Sequence, residues 1–97
     1  MLGVSAFHMS GPTPAEIDGK FVETVRAQGH EVPADAQQQA LLVRAAQKIC
    51  ERRENHATAA ARRATALTTE ELDVVGATFA DDARAFTSLA LKTYCPD

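Results

Sequence analysis

The chain contains no tryptophan and one tyrosine among 97 residues, and aromatic side chains make up only 5% of it. Large side chains of this kind are scarce, which argues against a sheet sandwich. No apolar run approaches the roughly 20 residues that cross a bilayer as a helix. The five glycines are dispersed at positions 3, 11, 19, 29 and 76, so there is no glycine-rich phosphate loop. There are only two cysteines, Cys50 and Cys95, and neither belongs to a C-x-x-C pair. That removes a zinc ribbon and a thioredoxin-like redox motif.

What is abundant is alanine, 19 residues of it, within a hydrophobic content of 45%. Alanine is the strongest helix former and allows backbones to approach closely, so the composition calls for closely spaced helices around a modest core. The length suits one small domain. Residues 1–13 read as a disordered tail or expression remnant, and residues 14–97 as a single helical domain. The opening Leu2 to Phe7 run lacks a basic n-region and is too short for a complete signal peptide.

Hydrophobic periodicity places four to five helices in an all-α bundle. Thr13, Pro14 and Glu16 form a start signal, and Ile17, Phe21 and Val25 recur every four residues up to a stop at Gly29. Asp35 is the candidate cap of a second helix reaching about Glu54. Its paired apolar positions Leu41/Leu42, Ala45/Ala46 and Ile49/Cys50 put Cys50 on the buried face. Arg44, Lys48 and Arg52, also at steps of four, predict an outward basic ridge. Asn55 and His56 mark a break before an alanine-rich helix over 58–67 with Arg62 and Arg63 exposed. Thr68 to Glu71 is a capping signature for a fourth helix with an apolar stripe of Leu72, Val75 and Phe79, ending near Gly76 to Phe79. Asp81 or Asp82 caps the last helix, whose inner face is Phe86, Leu89, Ala90 and Tyr94. Cys95 lies at its end and Pro96 stops it.

Net charge is −3, too weak and of the wrong sign for a general nucleic-acid binder. The distribution is uneven: residues 1–43 carry −3, residues 44–67 carry +4 and residues 68–97 carry −4. The basic centre fits a solvated face paired internally with the acidic flanks. The functional alternative is an anionic partner or membrane surface docking on Arg44, Lys48, Arg52, Arg53, Arg62 and Arg63. That partner would be a protein or an anionic envelope component.

Catalytic constellations are missing from the pattern. Ser5 and Ser10 fall in the expected tail, no G-x-S-x-G elbow accompanies Ser88, and Glu70/Glu71 and Asp81/Asp82 sit where carboxylates favour a helix N-terminus. The expectation is a non-enzyme without a cofactor. His56 stands six residues beyond Cys50, which is no recognised ligand spacing, so no metal site is expected. Tyr94 could ligate haem iron with a histidine, although packing of its ring, with the hydroxyl on a carbonyl or water, is the simpler use. The cysteine pair suits either a disulfide in an oxidising compartment or two buried thiols in a reducing one.

The segments FTSLALKTYCP (86–96), LLVRAAQKIC (41–50) and FVETVRAQG (21–29) occur in the order found in small exported mycobacterial proteins known as the domain of unknown function 732 family, which this chain resembles over about residues 17–96. The specific part is Tyr94-Cys95-Pro96 after an alanine and leucine helix, paired with one earlier cysteine. The resemblance implies a helical domain closed by a Cys50–Cys95 disulfide, normally made with an export signal and sometimes a lipid anchor. This chain departs from that pattern in having neither a full signal peptide nor a lipobox cysteine, and the family offers no catalytic residues to carry over. The expected role is a secreted or cell-envelope, non-catalytic interaction protein. The alternative is an envelope carrier of haem or another apolar ligand.

Overall fold

The computed structural model describes residues 13–54 and 58–96. All regular structure among them is helical, in five segments: α1 Pro14–Ala27, α2 Ala36–Glu54, α3 Ala59–Ala64, α4 Thr69–Phe79 and α5 Ala83–Tyr94. The expected tail up to residue 12, the break at Asn55 and His56, and His8 lie outside the described residues.

Local chemistry sets the helix ends. Thr13 and Glu16 form a reciprocal capping box on α1, with Pro14 in its first turn. Thr68 and Glu71 do the same for α4. Asp35 accepts from the Gln37 amide through its carboxylate and from the Gln39 amide through its carbonyl, starting α2. Thr58 caps α3, which ends earlier than its alanine pattern suggests because Thr65 closes it, its hydroxyl donating to the Ala61 carbonyl. Asp82 caps α5. Gly29 follows α1 with φ of 90°, a left-handed conformation that suits glycine.

The α4–α5 corner is tight. Ala80 and Asp81 both take positive φ, 51° and 64°, and the Asp81 amide returns to the Gly76 carbonyl. This folds the Asp81 carboxylate to 2.9 Å from where a Cβ on residue 76 would stand. Glycine at 76 is what leaves it room, and α4 runs through Gly76 without interruption.

The core lies where α2 meets α4 and α5, with α1 closing the other side of α5. Phe21 and Val25 enter from α1, Leu42, Ala45 and Ala46 from α2, Val74, Val75 and Phe79 from α4, and Phe86, Leu89 and Ala90 from α5. Three of these positions are fully buried alanines, so the helices approach closely and the few large side chains fill the remaining space. Phe79 meets Phe86 edge-on at 5.4 Å between ring centres, and Phe21 lies 5.8 Å from Tyr94. Leu72 departs from its expected core place: it is 54% exposed, while Val74 and Thr78 turn inward. Rotation of α4 is set by its docking on α2, which the 3.6-residue stripe alone does not specify.

Candidate functional site

Two buried or half-buried polar contacts and one cysteine pair hold the helices in place. On α2, Lys48 sits one turn beyond Ala45 and faces the start of α4. Its Nζ donates to Glu71 Oε1 at 2.8 Å and to the Ala66 carbonyl at 3.1 Å. The same Glu71 oxygen accepts from the Thr68 amide, so one carboxylate caps α4 and anchors it to α2. Burial pushes the Glu71 carboxyl up, but the Lys48 hydrogen bond, the Thr68 amide and the lysine charge together outweigh it and hold the group below its ordinary value. The expected basic ridge is thereby corrected. Arg44 and Arg52 are exposed, whereas Lys48 between them is 7% exposed and belongs to the interior, because α4 docks over that one turn of α2.

The second contact ties α1 to α5. The Tyr94 hydroxyl donates to Asp18 Oδ1 at 2.6 Å across 76 residues, and Gln47 of α2 reaches the same oxygen at 3.3 Å. The expected carbonyl or water partner is in fact a carboxylate. Burial first, and then the hydrogen bond and charge of Asp18, push the phenol well above its ordinary value.

Cys50 in the last turns of α2 and Cys95 at the end of α5 lie at disulfide distance, with Cα atoms 5.8 Å apart. Cys95 also closes α5 through its amide on the Leu91 carbonyl. Beside the pair is a cleft of about 290 Å³ lined by Arg53, Ser88, Leu91, Lys92, Cys95 and Pro96. Arg53 Nη1 donates to the Cys95 carbonyl at 3.4 Å.

The remaining arginines divide between two places. Arg44 borders an open groove of about 660 Å³ between α1 and α2. Arg52 and Arg53 are exposed at the end of α2, and Arg62 and Arg63 are exposed on α3. That helix buries none of its residues. Residues that the sequence reading passed over are Asp18 and Glu54. Asp18 could have been found from its i, i+4, i+7 alignment with Val22 and Val25, and Glu54 from standing one helical turn after Cys50.

These features define a small all-α domain whose first and last helices are tied to the second, by hydrogen bonds at one end and a cysteine pair at the other. The chain belongs to the family described as protein of unknown function (DUF732), whose profile matches residues 17–97. No curated protein and no solved structure matches it.

Proposed function

We propose that this protein is a small secreted or cell-envelope interaction protein, without catalytic activity, that engages an anionic partner through Arg52 and Arg53 at the end of α2 and Arg62 and Arg63 on α3. The observation that carries the reading is α3. A six-residue helix with no buried residue contributes little to the core, yet it holds two exposed arginines close in sequence to two more at the end of α2. A charged element with so small a part in packing is suited to contact outside the domain. A cysteine pair at disulfide distance supports an oxidising location, and no described helix is long and apolar enough to cross a membrane.

The test is binding to vesicles carrying an anionic phospholipid, against neutral vesicles, with an acidic polypeptide as the protein-type ligand. Binding to either anionic target should weaken as salt rises and be lost in Arg62→Glu/Arg63→Glu, with helicity unchanged. Equal binding by the variant, or no preference for anionic targets, would reject the proposal.

A second reading, a carrier of an apolar ligand, rests on an open groove of about 860 Å³ between α1 and α5, where Ile17, Leu89 and Tyr94 lie beside Lys20 and Lys92. Native mass spectrometry separates the two readings: a stoichiometric lipid mass on the purified chain favours the carrier.

A further inference from the structure

Glu54 stands one helical turn beyond Cys50 on α2, so both side chains project from the same face. Cys95 reaches that face from the end of α5. One ligand atom from each of the three residues, the two sulfurs and a Glu54 carboxylate oxygen, lies within 4.8 Å of the others. We propose that, once the cysteine pair is reduced, Cys50, Cys95 and Glu54 bind a divalent zinc ion, so that the tie between α2 and α5 exists in a disulfide form and a metal-bridged form.

The geometry suits zinc. Tetrahedral zinc takes thiolate sulfur at about 2.3 Å and carboxylate oxygen at about 2.0–2.2 Å, which places two thiolate ligands about 3.8 Å apart. With Cα atoms 5.8 Å apart, the two side chains are close enough for both thiolates to reach one ion once the bond is opened. Glu54, exposed at the helix end, supplies the third ligand, and water takes the fourth position. Two thiolates and one carboxylate favour zinc over calcium or magnesium, which require mostly oxygen ligands. Three anionic ligands around a dication leave one negative charge, which the neighbouring Arg53 and Lys92 side chains offset.

The chemistry balances in two steps. A dithiol gives two electrons and two protons to the Cys50–Cys95 bond, yielding two thiols and the dithiol's own disulfide. Zinc then replaces the two thiol protons, which leave to solvent, while Glu54 binds as the carboxylate it already is. In the disulfide form the sulfurs carry no thiolate charge and the site is closed to zinc.

The experiment uses the full chain, reduced with a phosphine and titrated with zinc alone, with cobalt(II) as the spectroscopic stand-in. Expected are one equivalent bound, a thiolate-to-cobalt charge-transfer band with tetrahedral ligand-field bands, and a higher melting temperature for the reduced chain. Glu54→Gln should weaken zinc binding at least about tenfold, since even outer-shell partners are worth that much. The same substitution should leave the melting of the oxidised chain unchanged. If the reduced chain unfolds, recovery of helicity on adding zinc reads the same interaction. The proposal is overturned if the reduced chain neither binds zinc nor gains helicity with it. It is equally overturned if Cys50→Ser/Cys95→Ser binds as tightly as the parent, or if Glu54→Gln retains full affinity.

Discussion

Lys48 Nζ lies 2.8 Å from Glu71 Oε1, with the two side chains 9% and 4% exposed, and this buried ion pair joins the middle of α2 to the first turn of α4. Its worth is better judged by breaking it than by counting it. Desolvating both charges offsets much of their attraction, so the intact pair adds little net stability, while removing one partner strands the other. Lys48→Met should therefore destabilise the fold by about 3 kcal/mol. The double variant Lys48→Met/Glu71→Gln, which keeps an acceptor for the Thr68 amide, should recover most of the loss. Denaturant midpoints of the three variants, read at constant m-value, form the cycle that checks this.

The same pair predicts an acid limb. Glu71 has its carboxyl held below the ordinary 4.5, so its proton binds more tightly in the unfolded chain. The associated stability is present above about pH 4.5 and is lost as pH falls through the lowered folded value. Melting temperature measured from pH 7 to pH 3 should fall at the acid end. The fall should be shallower in the Lys48→Met/Glu71→Gln variant.

Tyr94 is the only tyrosine, so its ionisation is read directly in the ultraviolet. Titration of the native chain should show a phenol that resists ionisation above pH 10, its ordinary value. A raised folded value means that the stabilisation is complete below pH 10 and is lost as pH rises toward the folded value. Tyr94→Phe should cost about 1.5 kcal/mol, the low end for a hydrogen bond to a charged acceptor, because the site is only half-buried. An ordinary titration in the folded protein would contradict the Asp18 contact.

Reduction of the cysteine pair, without added metal, releases a loop spanning a sequence separation of 45. Chain entropy assigns such a link about 4 kcal/mol. For a domain of this size that corresponds to a fall in melting temperature on the order of 20 °C, measured with and without a phosphine reductant.

Thr78 offers a gain instead of a loss. Its hydroxyl is buried and finds no hydrogen-bond partner among the described residues. Thr78→Val keeps the shape and removes the unpaired polar atom, so it should stabilise the fold by about 1 kcal/mol in a denaturant melt.

Helices were legible from the chain because their signals are local. The Thr13–Glu16 and Thr68–Glu71 boxes and the glycine after α1 act within one turn of backbone and need no tertiary partner. The inward place of Cys50 followed from the apolar pairs around it, and the family likeness favoured a disulfide with Cys95 over two free thiols. The site was less legible. Lys48 shares its four-residue spacing with Arg44 and Arg52, so periodicity sends all three outward. What separates them is the landing point of α4, roughly twenty residues later in the chain. Leu72 failed for the related reason that a helix with apolar residues on more than one side does not announce which side docks.

The amino-acid order alone determined an alanine-rich helical domain, the starts of its first and fourth helices, and a basic centre between acidic flanks, because capping, propensity and charge count are properties of near neighbours. Only the tertiary structure decided which cation is interior, that Tyr94 finds Asp18 across 76 residues, and that Glu54 stands with both cysteines. Those relationships depend on how helices rotate and cross, and that is settled by the combined packing of α1, α2, α4 and α5 rather than by any one segment.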